Sequence, residues 1–458
     1  MPAKIDATGK TLRRFLLVLT LFFYAYAFAM PDRREMLSGL TAILLSPAQV
    51  TKDYFIIGNL SGTFLNMGLV ATACLSLLYL PGVVIKGSTV VAFILAMGFT
   101  TWGINILNIW PFFLGVFLCA LLRKQKIASS VDAAMFTTGL CPIVSEMLLR
   151  YPGTEVHFPT WQSALLALGV GMGVGLLTPA LIGHSPNLHK GFNLYSAAMP
   201  AGFIGFFIMA AFYKTAGVTP PAIEATLGES RPEIAWSFFG VIFLSCIIAG
   251  FFLNKRSFRG YLDVLTDSGH KRDYTALFGP GLAIMNFGVY GLCIIGYYTL
   301  IGGSLNGVTC GIVFCMSCFA FAGSNPGNVW PIVVGYALTS LVGVNALNSQ
   351  AIMVGLCYAS GLAPIAGVYG SIFGIIAGAA HYTLVTSVPM MHGGFCLYNG
   401  GFTSVLIAMM LVPQLEAFFK TKDERRDIRR AKKRAKKLAK AAKLAEEVSQ
   451  FTAEEPKA

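Results

Sequence analysis

Fourteen apolar runs follow one another along this chain, at residues 13–30, 57–82, 88–102, 107–122, 128–149, 161–183 and 196–213, then at 233–253, 276–300, 303–322, 328–344, 347–366, 367–388 and 395–413. Most are long enough to cross a hydrocarbon core of ~30 Å. In such a core every backbone N–H and C=O must be bonded within the protein, and continuous apolar runs meet that demand as α-helices. With 55% hydrophobic and 12% charged residues, the chain reads as an all-α polytopic membrane protein rather than a soluble domain.

The runs are organised as a repeat. At an offset of 220 residues, Asp53-Tyr54 aligns with Asp273-Tyr274, Asn66-x-Gly68 with Asn286-x-Gly288, and Gly87-x-Thr89 with Gly307-x-Thr309. The same offset lays Gly103-x-Asn105-x-x-Asn108-x-Trp110-Pro111-x-x-x-Gly115 on Gly323-x-Asn325-x-x-Asn328-x-Trp330-Pro331-x-x-x-Gly335, six identities in thirteen columns. Gly139-Leu-Cys-Pro142-Ile143 then matches Gly361-Leu-Ala-Pro364-Ile365 at an offset of 222. After an extra polar loop in the first copy the offset drops to 203, where His189-x-Gly191-Phe192-x-Leu194-Tyr195-Ser196 falls on His392-x-Gly394-Phe395-x-Leu397-Tyr398-Asn399. The expected organisation is a first membrane repeat at 1–215, an extracytoplasmic linker at 216–232, a second repeat at 233–417 and a basic tail at 418–458. Seven runs per copy is an odd number, so the second copy enters the membrane upside down, a 7+7 inverted-topology repeat.

Charge supports that orientation. With the N-terminus inside and fourteen crossings, 28 Lys and Arg fall on the cytoplasmic side and six outside, or 14 against six without the tail. The expected location is the cell membrane, plasma or inner, with both termini cytoplasmic. The basic residues ahead of the first run and the Ala25-Tyr26-Ala27 at its end resemble a cleaved signal, but the run occupies the first position of the repeat and is expected to stay. The tail carries 14 of the 34 basic residues, lacks Gly and Pro from 420 to 443, and is expected to be a solvated or anionic-lipid-contacting helix. Because the charge sits there, it says nothing about nucleic-acid binding by the body, and no nucleic-acid partner is expected. Ten cysteines, nearly all in apolar runs, show no disulfide or zinc spacing, and Cys315-x-x-Cys318 reads as packing.

Chemistry is expected where helices break. Asn105 and Asn108, and Asn325 and Asn328 with the neighbouring Ser324, sit between two shorter runs in each copy, and Pro326 and Gly327 break helix there. An amide offers donor and acceptor without the cost of a charge. Two geometries fit, a pair of crossing helices or a re-entrant hairpin, and in the second the two tips would approach from opposite faces toward one substrate. The motif either lines that site or caps a structural turn. Trp110 and Trp330 read as interfacial. In the second motif His189 and His392 are either proton carriers or loop histidines with local partners, and Tyr195, Ser196, Tyr398 and Asn399 cap the next helix or face a cavity. Glu146 and His381 are the remaining proton-coupling candidates inside apolar runs. Gly171 and Gly175, with Gly370, Gly374 and Gly378, read as sites of close helix approach.

The phrases at 189–196 and 392–402 resemble a family of bacterial multipass membrane proteins catalogued only as a domain of unknown function, over the chain up to about Phe419. The resemblance implies no activity, substrate or catalytic residue. The seven-plus-seven outline is similar to that of nucleobase and sulfate carriers, without their sequence signatures. The functional expectation is an ion-coupled secondary transporter of a small polar or anionic solute, alternating access at the repeat interface, with Na+ favoured over H+ because buried carboxylates are scarce. A channel built from the same repeat is the alternative. A lipid-handling enzyme is a more distant one, since no His-Glu-x-x-His, Gly-x-Ser-x-Gly or paired-acid motif occurs. No metal and no cofactor beyond the coupling ion is expected, and a homo-oligomer is compatible with the sequence. Cysteines placed at Arg33 and Lys255 should label from opposite membrane faces; labelling from one face would exclude the inversion.

Overall fold

The computed structural model describes residues 2–48, 52–223 and 228–453, and the regular elements among them are all helical. In the first copy they are α1 (Pro2–Ala29), α2 (Leu60–Leu77), α3 (Gly87–Phe99), α4 (Trp110–Leu122), α5 (Val131–Thr137), α6 (Cys141–Leu149), α7 (Trp161–His189) and α8 (Ala198–Ile208). The second copy gives α9 (Pro232–Leu253), α10 (Pro280–Leu300), α11 (Gly307–Ser317), α12 (Pro326–Ser340), α13 (Gln350–Ala359), α14 (Ala363–Tyr369), α15 (Ser371–Val385) and α16 (Asn399–Phe418), before the tail helix α17 (Lys422–Ala453).

Among the described residues nine helical stretches are long and apolar enough to cross a membrane. The chain is thus a multipass helical membrane protein. All fourteen apolar runs are helical, but five are short: α3, α4, α12, α15 and Gly307–Phe321 have 13 to 15 residues. At 1.5 Å per residue these rise only about 20 to 23 Å, less than the ~30 Å hydrocarbon thickness. Two of the long stretches are themselves interrupted. A 3-10 turn at Thr138–Leu140 separates α5 from α6, and one at Ser360–Leu362 separates α13 from α14. Pro142 and Pro364 follow each turn, and a proline that donates no N–H forces the helix to tighten and restart.

Equivalent helices pack alike in the two copies. α1 lies on α2 as α9 lies on α10, and α4 crosses α7 as α12 crosses α15. The second pair of crossings runs through glycines: a Cβ on Gly115 would lie 2.9 Å from the Gly175 Cα, and one on Gly335 would lie 3.1 Å from the Gly378 Cα. Gly171 packs on Pro111 and Gly374 on Pro331. Gly370 serves differently, turning the chain between α14 and α15 at a φ of +118°.

Between copies, α3 runs beside its equivalent α11 in antiparallel sense, and α8 meets α16. The starts of α3 and α11 are each capped from the other copy. Asp53 accepts from Gly307 N at 3.0 Å, and its equivalent Asp273 accepts from Gly87 N at 3.1 Å. The two bonds are made in exchange between the copies. The tail helix is exposed, with a Thr421–Glu424 capping box at its start and Arg425 bonded to the Tyr369 carbonyl.

A methyl at Gly311 would stand 2.3 Å from the Gly98 carbonyl and 2.4 Å from Thr101 Oγ1, whereas one at Gly173 meets open space. Gly311→Ala should therefore lose about 1–3 kcal/mol of stability by overpacking, while Gly173→Ala should be neutral or gain up to ~1 kcal/mol of helix propensity. Thermal unfolding in detergent separates the two; equal tolerance would mean that α3 and α11 do not touch.

Candidate functional site

The asparagines of each motif bond one another's backbone first, as a turn ahead of α4 in the first copy and as a capping box at the start of α12 in the second. Asn105 Oδ1 accepts from Leu107 N and Asn108 N at 3.0 and 2.9 Å, and Asn108 Oδ1 accepts from Asn105 N at 2.9 Å. Asn108 Nδ2 spends its protons on Gly103 O and Ser145 Oγ, both at 3.0 Å. Asn325 and Asn328 repeat the pattern, each accepting from the other's backbone N–H at 3.0 Å. Two further amides close the break from outside. Asn66 Nδ2 donates to Thr100 O and Ile104 O at 3.1 and 2.9 Å, as Asn286 Nδ2 donates to Ala320 O and Ser324 O at 3.0 and 2.9 Å.

The two motifs do not meet. Antiparallel packing puts the end of α3 beside the start of α11, where a Cβ on Gly307 would lie 3.2 Å from the Thr101 carbonyl, and puts Phe321 O beside Gly87. They occupy opposite ends of the α3–α11 pair, separated by its length of about 20 Å. Facing tips around one substrate are excluded by this packing.

Each motif instead joins a 3-10 break of its own copy and a histidine-motif loop of the other. Leu397 N donates to Gly139 O at 2.9 Å, and Leu194 N donates to Gly361 O at 3.0 Å, equivalent bonds made in exchange. The following tyrosines fill the breaks. A Cβ on Gly139 would lie 1.9 Å from the Tyr398 ring and one on Gly361 2.4 Å from the Tyr195 ring, so only glycine fits. Tyr398 donates to Phe136 O at 2.9 Å and packs edge-on against Phe99. Tyr195 reaches Cys315 O and Cys357 O at 3.0 and 3.1 Å. Two half-sites result, each built from both copies.

The half-sites differ in what they leave unbonded. Around the second motif the Thr266–Asp273 loop closes in: Asn325 Nδ2 donates to Asp267 O and to the Tyr274 hydroxyl at 3.2 and 2.9 Å, and among the described residues the Ser324 hydroxyl, with that of Tyr290 beside the break, lacks a partner. Around the first, Asn105 Nδ2, the Trp102 indole N–H and the Tyr54 hydroxyl are all buried without a partner. All three can donate, and the Tyr54 hydroxyl stands against the Asn105 side chain.

The proton-coupling candidates all have partners. His189 Nδ1 accepts from Asn193 N at 3.2 Å and Nε2 pairs with Ser196 Oγ at 3.0 Å. His392 repeats this with Cys396 N at 3.4 Å and Asn399 Oδ1 at 3.1 Å. A backbone N–H aimed at Nδ1 fixes the neutral ring with its proton on Nε2, so both histidines clamp their own loops. His381 donates from Nε2 to Gly400 O at 2.8 Å and accepts from Tyr336 at 2.5 Å. Glu146 takes Arg150 Nε at 2.9 and 3.0 Å, Arg150 Nη2 at 2.5 Å and the Tyr213 hydroxyl at 3.0 Å. Trp110 and Trp330 are half exposed on the outer surface, whereas Trp102, not singled out in sequence, is fully buried. Thr138, Ser360 and Tyr290 were equally unannounced; Pro142 and Pro364 inside apolar runs were the available signal for the first two.

Asn325→Ala would remove one cap acceptor and two amide donors, and should cost about 1–2 kcal/mol. Asn325→Asp keeps the acceptor and should recover part of it. Thermal unfolding of both variants checks the order, and an unchanged alanine variant would deny the cap.

A family model described as "Protein of unknown function (DUF1576)" matches residues 32–214 and again 253–417. No curated protein and no solved structure matches the chain.

Proposed function

The chain belongs to the DUF1576 family of unknown function, and we propose from its geometry that it is a secondary active transporter moving a small polar or anionic solute by alternating access. The observation that carries this is the exchange of tyrosines between copies, with Tyr398 seated at Gly139 and Tyr195 seated at Gly361. Each half-site is completed by the opposite repeat. With both plugs seated, a shift of one repeat against the other would withdraw one and leave the other in place, and equivalent construction keeps the two resulting states close in energy, which alternating access requires.

Inversion of the second copy does not depend on how the short helices are counted. Taking α3 with α4, and Gly307–Phe321 with α12, as re-entrant hairpins leaves five crossings per copy instead of seven. Both numbers are odd. The two half-sites then face opposite sides of the membrane.

The solute class follows from the first half-site. Three buried donors that complete no hydrogen bond within the chain suit a ligand that brings acceptor oxygens, such as a carboxylate or an oxyanion. Asn108 and Asn328 hold the backbone, while Asn105 reaches the solute through Nδ2.

Purified chain in proteoliposomes should give saturable counterflow with a member of a panel of small carboxylates, phosphate and sulfate. Asn105→Asp keeps the cap acceptor but replaces the free N–H donors with an anionic oxygen, and should lower that counterflow about tenfold or more. Conductance without saturable counterflow would leave a channel.

A further inference from the structure

We propose that the second half-site holds a Na+ site, formed by the carbonyls of Cys315 and Cys357 with the hydroxyls of Tyr195, Ser360 and Tyr290. This deepens the carrier reading by assigning its coupling ion, but its test needs no transport.

Two helices end there. Cys315 lies in the last turn of α11 and Cys357 in the last turn of α13, so both carbonyls stand at the negative ends of helix dipoles just before 3-10 turns. A carbonyl that accepts one hydrogen bond keeps a second lone pair. The Tyr195 oxygen lies 3.0 Å from one carbonyl and 3.1 Å from the other, with one proton between them. That proton lies along only one of the two directions, and the other pair of oxygens faces across a gap without hydrogen.

Little else nearby supplies a donor. Ser360 Oγ already gives its proton to Cys357 O at 2.5 Å, and on Cys315 O the side-chain donor is the weak Cys318 thiol at 3.3 Å. The Tyr290 hydroxyl, fully buried, is turned toward Ser360 without completing a hydrogen bond. Four oxygens are therefore linked by contacts of 2.5 to 3.1 Å, the Tyr290 hydroxyl stands beside the fourth, and all five belong to neutral groups. Hydroxyls and carbonyls without a carboxylate suit a monovalent cation better than a divalent one, whose larger charge calls for carboxylate ligands. Among the described residues no His, Cys, Asp and Glu cluster offers a transition-metal alternative.

The first copy lacks this arrangement. Thr138 stands in the place of Ser360 with its Oγ1 on Met135 O at 2.6 Å, but Val70 replaces Tyr290, and Tyr398 bonds a single carbonyl. One ion per chain is expected. Because Tyr195 comes from the first repeat and the carbonyls from the second, the ion would tie the two repeats together when the plug is seated.

The test is thermal stability of the full chain in detergent with NaCl, KCl or choline chloride at equal ionic strength, since a ligand of the folded state raises stability by mass action. A Na+-specific rise is expected. Ser360→Ala and Tyr290→Phe should each weaken its concentration dependence about tenfold, whereas Thr138→Val should leave it in place. Hydrogen exchange of the wild-type chain gives a second readout that needs no variant: Na+ should protect the segments around 312–321 and 355–364. Absence of a Na+-specific rise, or protection by Na+ elsewhere, overturns the site; neither result touches counterflow, which judges the carrier separately.

Discussion

A helix that breaks within the thickness of a membrane leaves N–H and C=O groups that lipid cannot satisfy, and this architecture follows from how the chain bonds them. Asn66 and Asn286 reach across from full-length helices to hold the carbonyls at the ends of the short ones, and the paired asparagines hold the N–H groups where the next helices begin. With the loose ends bonded, short helices become stable elements. Two of them, α3 and α11, pack as an antiparallel pair between the copies.

The symmetry is a frame on which differences have been placed. Equivalent positions hold Val70 and Tyr290, Thr138 and Ser360, Trp102 and Ala322, so one half-site presents unpaired donors and the other presents crowded oxygens. A strictly symmetric protein would bind the same ligand at both ends. Divergence at a few positions gives the two ends different polar groups while the helix packing stays common. The Glu146–Arg150–Tyr213 cluster is another departure, since it lies against the extra loop of the first copy.

Much of this was legible in the sequence. The helical class, the repeat, its register shifts and the close glycine crossings all came from spacing, because apolar length and identical columns are local signals. The asparagine motifs were also visible, but their spacing fits a ligand site and a capping box equally well, and only their bonds distinguish the two. What spacing did not carry was contact between copies. Tyr195 bonds residues 120 and 162 positions away, and Tyr398 one 262 positions away, with no local pattern to announce either. Gly139 and Gly361 were seen as alignment columns without the tyrosine that requires them. The short helices, too, merged with their flanking loops into runs of nearly spanning length.

The distance in sequence between Tyr398 and the break it fills has a consequence for biogenesis. The first copy reaches its 3-10 turn early, but the residue that plugs it emerges 262 positions after Phe136. At a synthesis rate of about 5–20 residues per second, that turn waits about 13 to 50 seconds in the membrane with its plug missing. The second copy waits for nothing of the kind, because Tyr195 is already made when Gly361 arrives. Translation thus breaks the equivalence of the two repeats before any ligand does, and the unfinished first copy is the stage at which an insertion chaperone or a quality-control protease would find its substrate.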